Sequence, residues 1–257
     1  MGREGSSPRV LSIDIETYPI LAHVWSLWDA NAVAVERNTV ICCFSAKWLG
    51  GKQTTKALPD YKGYKSDAWD DSALLADIWK LLDEADIVIA QNGDRFDVKK
   101  INARLIRHGL KPPTPYKTVD TLKTARRIFG FDSNKLNDLC RFLGIGQKVH
   151  TGGFTLWQGC MAGDAKAWAR MKRYNAQDVR ILEKLYLRFL PWTTNHPNVG
   201  MWKSGPACPK CGSRRMQARG VTRNGTTEYR RLQCQSCGGW SRTNKNERKA
   251  APLVNLR

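Results

Sequence analysis

The chain has 257 residues, of which 42% are hydrophobic, 9% aromatic and 25% charged. This composition is typical of a folded protein and argues against a fibrous or largely disordered chain. Its apolar runs are the size of strands, well short of the roughly 20 residues that span a bilayer. Residues 1–8 lack the apolar core of a secretory signal. We therefore expect a cytoplasmic protein whose cysteines are reduced.

The charge is strongly basic. Lys and Arg number 42 against 23 Asp and Glu, which gives a formal net charge of +19. Residues 201–257 alone hold 13 basic and two acidic side chains. Such a surplus favours nucleic acid as a partner, because each cation that neutralises a phosphate also releases a counterion. A merely solvated basic surface is the alternative.

Strand and helix patterns alternate along residues 9–190. Apolar and polar side chains alternate over residues 9–17, which predicts a strand, and residues 23–28 and 40–49 are further β-rich runs. The next predicted elements are a helix over 70–84, a strand over 86–90, a helix over 93–109, an edge strand over 117–120, and helices over 121–129, 135–143 and 165–189. Residues 144–163 hold six glycines and are predicted to be an ordered loop or mobile lid. This order indicates an α/β domain over residues 1–190.

The first strand carries two acids on one face. Asp14 and Glu16 are two residues apart, so their side chains project together, and the flanking isoleucines fix this register. Two close carboxylates repel unless a cation lies between them, and a divalent metal is the usual solution. A solvated strand face is the structural alternative.

Two further acidic motifs follow. Asn92, Phe96 and Asp97 come directly after the predicted strand 86–90, and ligands gather at the ends of strands in α/β sheets. Tyr174 and Asp178 are four residues apart and share one face of the last helix. Taken singly, each has a plain structural explanation, as turn chemistry and as an exposed pair.

The three motifs together resemble the exonuclease motifs of the DEDD superfamily of 3′–5′ exonucleases. The resemblance covers about residues 9–190 and implies a ribonuclease H-like fold, with a mixed sheet flanked by helices. One branch of that superfamily has a tyrosine four residues before the final aspartate, and Tyr174 occupies that position here. The other branch has a histidine five residues before the aspartate, where this sequence has Arg173. Asp120 also resembles an aspartate found in many relatives; it could shape the site or cap a helix, and we favour the cap.

The resemblance implies a role for each residue. Asp14 would bridge two metal ions, Glu16 and Asp178 would complete the site that generates hydroxide, and Asp97 would hold the second metal. Tyr174 would orient the attacking water, since a phenol with a pKa near 10 is a poor base. Ligands that are all oxygen favour Mg²⁺ or Mn²⁺, so we expect two such ions.

Half of the cysteines form a separate pattern. Two Cys-x-x-Cys pairs flank a predicted hairpin: Cys208, Cys211, Cys234 and Cys237. This spacing predicts a tetrahedral Cys₄ site for one structural Zn²⁺, with a redox-active pair as the rival. We expect a zinc ribbon over residues 207–241, preceded by a linker over 191–206 and followed by a basic tail over 242–257.

Several side chains are candidates for contact with the substrate, among them Asn92 and Phe96 of the first domain. In the ribbon these are the basic residues Arg214, Arg215, Arg230 and Arg231. Tyr229 and Trp240 could stack on bases there, and Trp157 is a candidate stacking wedge in the glycine-rich stretch. The alternative is a ribbon that docks protein or is purely structural.

The sequence therefore predicts a metal-dependent 3′–5′ exonuclease that acts mostly on single-stranded nucleic acid, on DNA more than RNA. A separate polymerase or a replication or repair complex is a candidate partner, in a bacterial or phage-infected cell. A structure-specific endonuclease on the same fold is one alternative. A catalytically silent nucleic-acid-binding protein is another, although mere binding would not need this set of acids.

Overall fold

The computed structural model describes residues 7–26, 28, 31–224 and 226–247. The chain divides into two compact units, Arg9–Leu185 and a C-terminal unit that begins at Tyr186 and includes Ser7 and Pro8. Within the described ranges, no helix has the length and apolar character needed to cross a membrane.

A five-stranded mixed sheet lies at the centre of the first unit. The strands of this unit are β1 Val10–Thr17, β2 Leu21–His23, β3 Ala34–Arg37, β4 Ile41–Trp48, β5 Gln53–Ala57, β6 Ile87–Ala90 and β7 Lys117–Asp120. The order in the central sheet is β5-β4-β1-β6-β7. β4 is antiparallel to β1 and β5, whereas β6 is parallel to β1 and β7. β2 and β3 pair only with each other, as a separate hairpin.

Helices flank this sheet. They are α1 Ser72–Glu84, α2 Asp97–Arg107, α3 Thr121–Ile128, α4 Leu136–Phe142, α5 Thr155–Met161 and α6 Ala165–Phe189. α1 buries Leu74, Ile78 and Leu82 at helical spacing, against a core that includes Leu11 and Ile13 of β1. The predicted fold class, a mixed sheet flanked by helices, is confirmed.

Two local predictions are wrong. The stretch 144–163 is not all loop, because α5 lies within it and buries Leu156 and Cys160. Seven helical residues between glycines are too few to show a clear periodicity. Residue 27 of the predicted strand 23–28 lies outside the described residues; of the others, only the first is in a strand, and Trp25 and Trp28 are 91% and 95% exposed and therefore make few packing contacts.

The C-terminal unit contains a second sheet. β8 Met216–Asn224, β9 Thr227–Cys234 and β10 Trp240–Arg242 form an antiparallel sheet in the order β10-β9-β8. The chain then follows β9 further, with Thr243 N donating to Arg230 O and Glu247 N donating to Glu228 O. Of the predicted basic tail, residues 248–257 lie outside the described residues, as does Gly225 of the predicted hairpin turn.

The turn from β6 to α2 is tightly packed. Asn92 adopts a left-handed conformation with φ of 64°, and its N–H donates to Asp120 Oδ1 at 3.0 Å. A Cβ atom added at Gly93 would lie 2.3 Å from the Cβ of Ala90, far inside van der Waals contact. The turn that presents Asp97 therefore depends on a glycine at this position.

We expect Gly93→Ala to lower the free energy of unfolding by about 1–3 kcal/mol, since overpacking forces the backbone to shift. Urea denaturation measures the change. Gly130→Ala is the matched control, because a Cβ atom there meets only open space. Equal stability of the two variants would show that the turn accommodates a side chain.

Candidate active site

The acids of β1 lie where one face of the sheet becomes accessible. Ile13 and Ile15 point into the core, whereas Asp14 and Glu16 are partly exposed on the opposite face. Carboxylate oxygens of Asp14, Glu16 and Asp178 all lie within 4.8 Å of one another. The structure thus brings together acids of two motifs that are about 160 residues apart in the sequence.

Asp97 lies outside this group of three converging carboxylates but next to it, where it contacts the backbone of β1. The pairing of β1 with β6 ends at Ser12, so the N–H of Ile15 has no strand partner on that side. Asp97, the first residue of α2, is 2% exposed, and its Oδ1 accepts the Ile15 N–H at 3.1 Å. The Asp97 carboxylate therefore takes the place of a strand partner where β1 extends beyond the shorter β6.

α6 supplies Tyr174, Asn175 and Asp178 from one face of the helix. Asp178 is buried, and its Oδ1 has no hydrogen-bond partner. Asn175 is fully buried, and its Nδ2 donates to Asp14 Oδ2 at 2.6 Å and to Asp14 O at 3.3 Å. The amide therefore fixes the orientation of the Asp14 carboxylate.

Lys148 is a site residue that the sequence analysis missed. Its Nζ donates to Asp178 Oδ2 at 2.5 Å and to the Tyr174 hydroxyl at 3.2 Å. No local motif marks this lysine, because it is 30 residues from Asp178 in a segment without secondary structure. Asn175 was missed too, although its position three residues before Asp178 on one helix could have revealed it.

Burial and mutual repulsion raise the pKa values of the acids in and beside this cluster. Burial raises the pKa of Asp14 well above its ordinary value, and the nearby charges of Asp97, Glu16 and Asp178 raise it further. Burial and Asp178 raise the pKa of Glu16 to about 8. Burial raises the pKa of Asp97 to about 7, against the opposing effect of the Ile15 N–H. The ammonium of Lys148 offsets only part of this repulsion.

The donor set fits divalent cations. Three acids converge beside one lysine, the charge of Asp97 acts on them from nearby, every candidate ligand is oxygen, and a buried Asp178 oxygen lacks a donor. Buried polar atoms are otherwise almost always paired, so this atom is an unused acceptor for a cation. Oxygen-only donors suit Mg²⁺ or Mn²⁺.

Asn175→Ala is expected to lower both the affinity for Mn²⁺ and the turnover number by about 10- to 100-fold, because residues that orient metal ligands typically contribute this much. Calorimetric titration with Mn²⁺ measures the affinity. Gln177→Ala on the same helix is the control, since among the described residues its amide donates to the carbonyl of Gln147 and to none of the clustered acids. Unchanged Mn²⁺ affinity in Asn175→Ala would contradict the role in orientation.

The other residues that the sequence singled out in this unit lie in the turn before α2, at the start of α2, on α5 and at the start of α3. Asn92 forms the tight turn before α2, and Phe96 at the start of that helix is 38% exposed. Trp157 lies on α5 and packs edge-on against Tyr174, with ring centroids 6.4 Å apart. Asp120 caps α3 by accepting from the N–H groups of Leu122 and Lys123, so the favoured cap is present.

One further acidic group is structural. Asp71 is fully buried and forms a two-pronged ion pair with Arg104, at 2.6 and 2.8 Å. It also contacts His108 Nε2 at 2.9 Å and accepts the Ile41 N–H at 2.9 Å. Both of its oxygens are engaged, so this cluster ties α1 to α2 and leaves no free acceptor for a metal.

The four predicted zinc ligands converge in the C-terminal unit. Sγ of Cys208 lies 3.7 Å from Sγ of Cys237, and Sγ of Cys211 lies 3.6 Å from Sγ of Cys234. Tetrahedral ligation at about 2.3 Å separates sulfurs by about 3.8 Å, whereas a disulfide joins them at about 2.05 Å. Backbone N–H groups donate to three of the sulfurs, at Cys208, Cys234 and Cys237. The geometry fits zinc better than a redox disulfide.

The ribbon arginines do not share one surface. Arg230 faces Glu247 at 3.6 Å, and Arg214 donates to Ser204. Arg215 is exposed beside the cysteine cluster, with its N–H bonded to Ser213. Arg231 lies on the opposite face of β9 from Arg230, with its guanidinium 5.8 Å from the ring centre of Trp240.

Comparison with known proteins defines the class. A family model of the RNase H superfamily matches residues 29–190, more than half of the chain. The chain belongs to the RNase H superfamily. The matched range begins after β1, so Asp14 and Glu16 lie outside it.

Two proteins illustrate the similarity. The chain is 36% identical over 76 residues to a DNA polymerase III PolC-type of Ureaplasma parvum serovar 3, which covers 30% of this chain and 5% of that protein. Its fold is similar to that of a family B DNA polymerase from the hyperthermophilic archaeon Pyrobaculum calidifontis, with a TM-score of 0.55 and 15% identity over 73% of this chain and 25% of that one. The chain thus spans only a small part of either protein.

Proposed function

We propose that this protein is a metal-dependent 3′–5′ exonuclease that hydrolyses phosphodiester bonds, mostly of single-stranded nucleic acid. Residues 1–190 form the nuclease domain in this proposal, and a zinc ribbon over residues 207–241 helps to bind the substrate after a linker over 191–206. Membership of the RNase H superfamily supports nuclease chemistry. Similarity to proteins named as DNA polymerases supports DNA over RNA, and a polymerase or replication complex as a partner.

One observation carries the proposal. Carboxylate oxygens of Asp14, Glu16 and Asp178 converge within 4.8 Å, and a buried Asp178 oxygen has no partner. Such a cluster is unstable without a cation, so a binding protein would gain nothing from it. Two divalent cations, when bound, would supply an activated water and neutralise charge on the phosphate.

The residues of the chain have distinct roles in this mechanism. Asp14, oriented by Asn175, would hold both divalent cations, which would supply an activated water and neutralise charge on the phosphate. Glu16 and Asp178 would help to hold one of these cations, and Asp97 would help to hold the other. Burial and the neighbouring acids raise the pKa of Tyr174, so its hydroxyl stays protonated and positions water as a hydrogen-bond partner. Lys148, beside Asp178 and Tyr174, offsets negative charge where a phosphate would lie.

The test uses 5′-labelled single-stranded DNA and RNA of equal sequence with Mg²⁺, Mn²⁺ or EDTA. A ladder of 5′-labelled products that shortens with time and requires metal supports 3′–5′ exonuclease action and ranks the two substrates. Circular single-stranded DNA distinguishes the nearest alternative, because only an endonuclease can cut it. Binding without cleavage of any substrate would favour a silent binding protein.

Metal binding is expected to strengthen with pH. The pKa values of Glu16 and Asp97 are raised to about 8 and about 7, so the metal-free folded protein holds protons that cations must displace. The raised pKa values also mean that the metal-free protein loses stability as pH rises from about 4 to about 8. Mg²⁺ opposes this loss by binding the ionised carboxylates.

Thermal unfolding of the zinc-loaded protein with and without Mg²⁺, in the absence of a chelator, at about pH 5.5, 7 and 8.5 measures both effects. The melting temperature without Mg²⁺ should fall with pH, and the increase due to Mg²⁺ should be largest at the highest pH. Glu16→Gln should weaken both trends. A Mg²⁺ effect that is constant across this range would show that protons and metal do not compete.

A further inference from the structure

One face of the sheet in the C-terminal unit borders a cavity of about 790 Å³. Its walls include Thr193, His196, Lys210, Arg231, Trp240 and Arg242. This volume lies in the range of about 300–1,000 Å³ that is typical of sites for small ligands. All of these residues belong to the C-terminal unit, and none of them is an acid of the cluster in the first unit.

The two faces of this sheet differ in charge. On one face, Arg223 pairs with Glu228 at 2.7 Å and Arg230 lies 3.6 Å from Glu247. Those two glutamates are the only acids after residue 200. Arg231 and Arg242 project from the other face, and neither takes part in a salt bridge among the described residues. The cavity face therefore keeps two cations without a counter-charge.

Arginines and aromatic rings alternate on this cavity face. The Arg242 guanidinium lies 3.8 Å from the ring centre of Tyr229, and Trp240 is 48% exposed beside Arg231. Arg231 and Arg242 are direct partners across β9 and β10. Like charges in this relation destabilise a sheet, so an anion near both would be favourable.

The two remaining titratable side chains in the walls, His196 and Lys210, are already engaged. His196 Nδ1 lies 2.7 Å from the Pro197 carbonyl and must donate to it, so Nε2 accepts from the Tyr186 hydroxyl at 2.9 Å. The Lys210 ammonium donates to the carbonyl of Pro191. Neither group is free to act as an acid or a base, so the cavity is built for binding.

We infer that this cavity binds an unpaired nucleotide of a single strand, with its base stacked on Trp240 and its phosphates near Arg231 and Arg242. An exposed indole provides a platform for any base, and the two guanidiniums supply the charge that follows a phosphate backbone. The inference extends the proposed function, because the strand held here would be the strand that is degraded.

Binding is tested with the full-length, zinc-loaded protein in buffer that contains no Mg²⁺, no Mn²⁺ and no chelator, so that strand cleavage is suppressed and the structural zinc is retained. The probes are a fluorescent 16-residue oligothymidylate and an abasic strand of equal length and charge, measured by anisotropy. Trp240→Ala should weaken oligothymidylate binding by about 5- to 100-fold, leave the abasic strand unaffected, and be largely rescued in Trp240→Phe. The double variant Arg231→Ala, Arg242→Ala should weaken the binding of both probes. It should also reduce the magnitude of the slope of log K against log salt concentration by about 1.4, because two phosphate contacts are lost.

Arg230→Ala is the matched control, since it removes the same charge from the other face and should leave the base preference intact. Zinc content and melting temperature confirm that each variant is folded. The inference is overturned if folded Trp240→Ala binds both probes as wild type does, or if Arg230→Ala has the larger effect. A polyglutamate peptide that displaces the oligonucleotide at equal charge concentration would instead assign this face to an acidic protein.

A mononucleotide p-nitrophenyl ester separates this inference from the proposed function, because one nucleotide cannot occupy both sites. Wild type and Trp240→Ala should hydrolyse it at equal rates in Mn²⁺. If wild type hydrolyses neither this ester nor a strand, the exonuclease proposal fails, while the Trp240-dependent binding can still be observed.

Discussion

Replacing Asp14 with asparagine is expected to reduce the turnover number for phosphodiester hydrolysis by about 10²–10³-fold. The amide keeps the shape of the side chain but loses the charge with which Asp14 would hold divalent cations in the proposed mechanism, and losing one electrostatic partner of the transition state typically costs about 10²–10³-fold. The same change should leave the metal-free protein at least as stable as wild type. Burial and three neighbouring acids raise the pKa of Asp14, so a neutral side chain relieves repulsion there.

The opposed effects make this variant a sharp test. Gel assays with a 5′-labelled strand measure the rate, and thermal unfolding without Mg²⁺ or a chelator measures the stability. Asp132→Asn, in the exposed connection between α3 and α4, is the control and should change neither quantity. An unfolded variant would contradict the expected relief of repulsion at Asp14. A folded variant that keeps more than a tenth of the activity would exclude the proposed role of Asp14 in catalysis.

Cys234→Ser is expected to abolish zinc binding and to unfold the sheet of β8, β9 and β10. Binding of structural zinc contributes about 10–16 kcal/mol to small modules of this kind. Such a sheet has little apolar burial of its own: most of β8 is exposed or only partly buried, and Cys234 is the only fully buried residue of β9. A chelator should have the same effect on the wild type.

Metal analysis should find one zinc ion per chain in the wild type and none in Cys234→Ser. Cys140→Ala is the control, because this buried cysteine lies in the first unit, far in sequence from the four converging sulfurs, and should keep the full zinc content. Nucleic-acid binding that survives complete loss of zinc would show that the ribbon does not hold the strand.

Local patterns were sufficient to predict the parts of the site that sit on regular elements. The alternation around Asp14 defines which face of β1 carries it, since a slip of one residue would bury the carboxylates in the core. The spacing of Tyr174 and Asp178 places both on one side of α6. The spacing of the cysteines likewise predicted their convergence.

The missing parts depend on tertiary contacts. Lys148 reaches Asp178 from an irregular segment, and no periodicity records that approach. In the ribbon, the sequence alone predicts that Arg230 and Arg231 lie on opposite faces of β9, because side chains alternate along a strand. Only the folded chain shows that Glu247 neutralises the first, whereas the second lines a cavity.

The hydrogen bond between the Ile15 N–H and Asp97 has a practical consequence. A single backbone amide in the central strand donates to a carboxyl group whose pKa is raised to about 7 by burial. Its proton chemical shift in an ¹⁵N-labelled sample is therefore expected to report the charge state of Asp97. Because a bound cation would favour the ionised carboxylate, the same amide signal would follow the binding of a divalent cation in solution without a substrate or a dye.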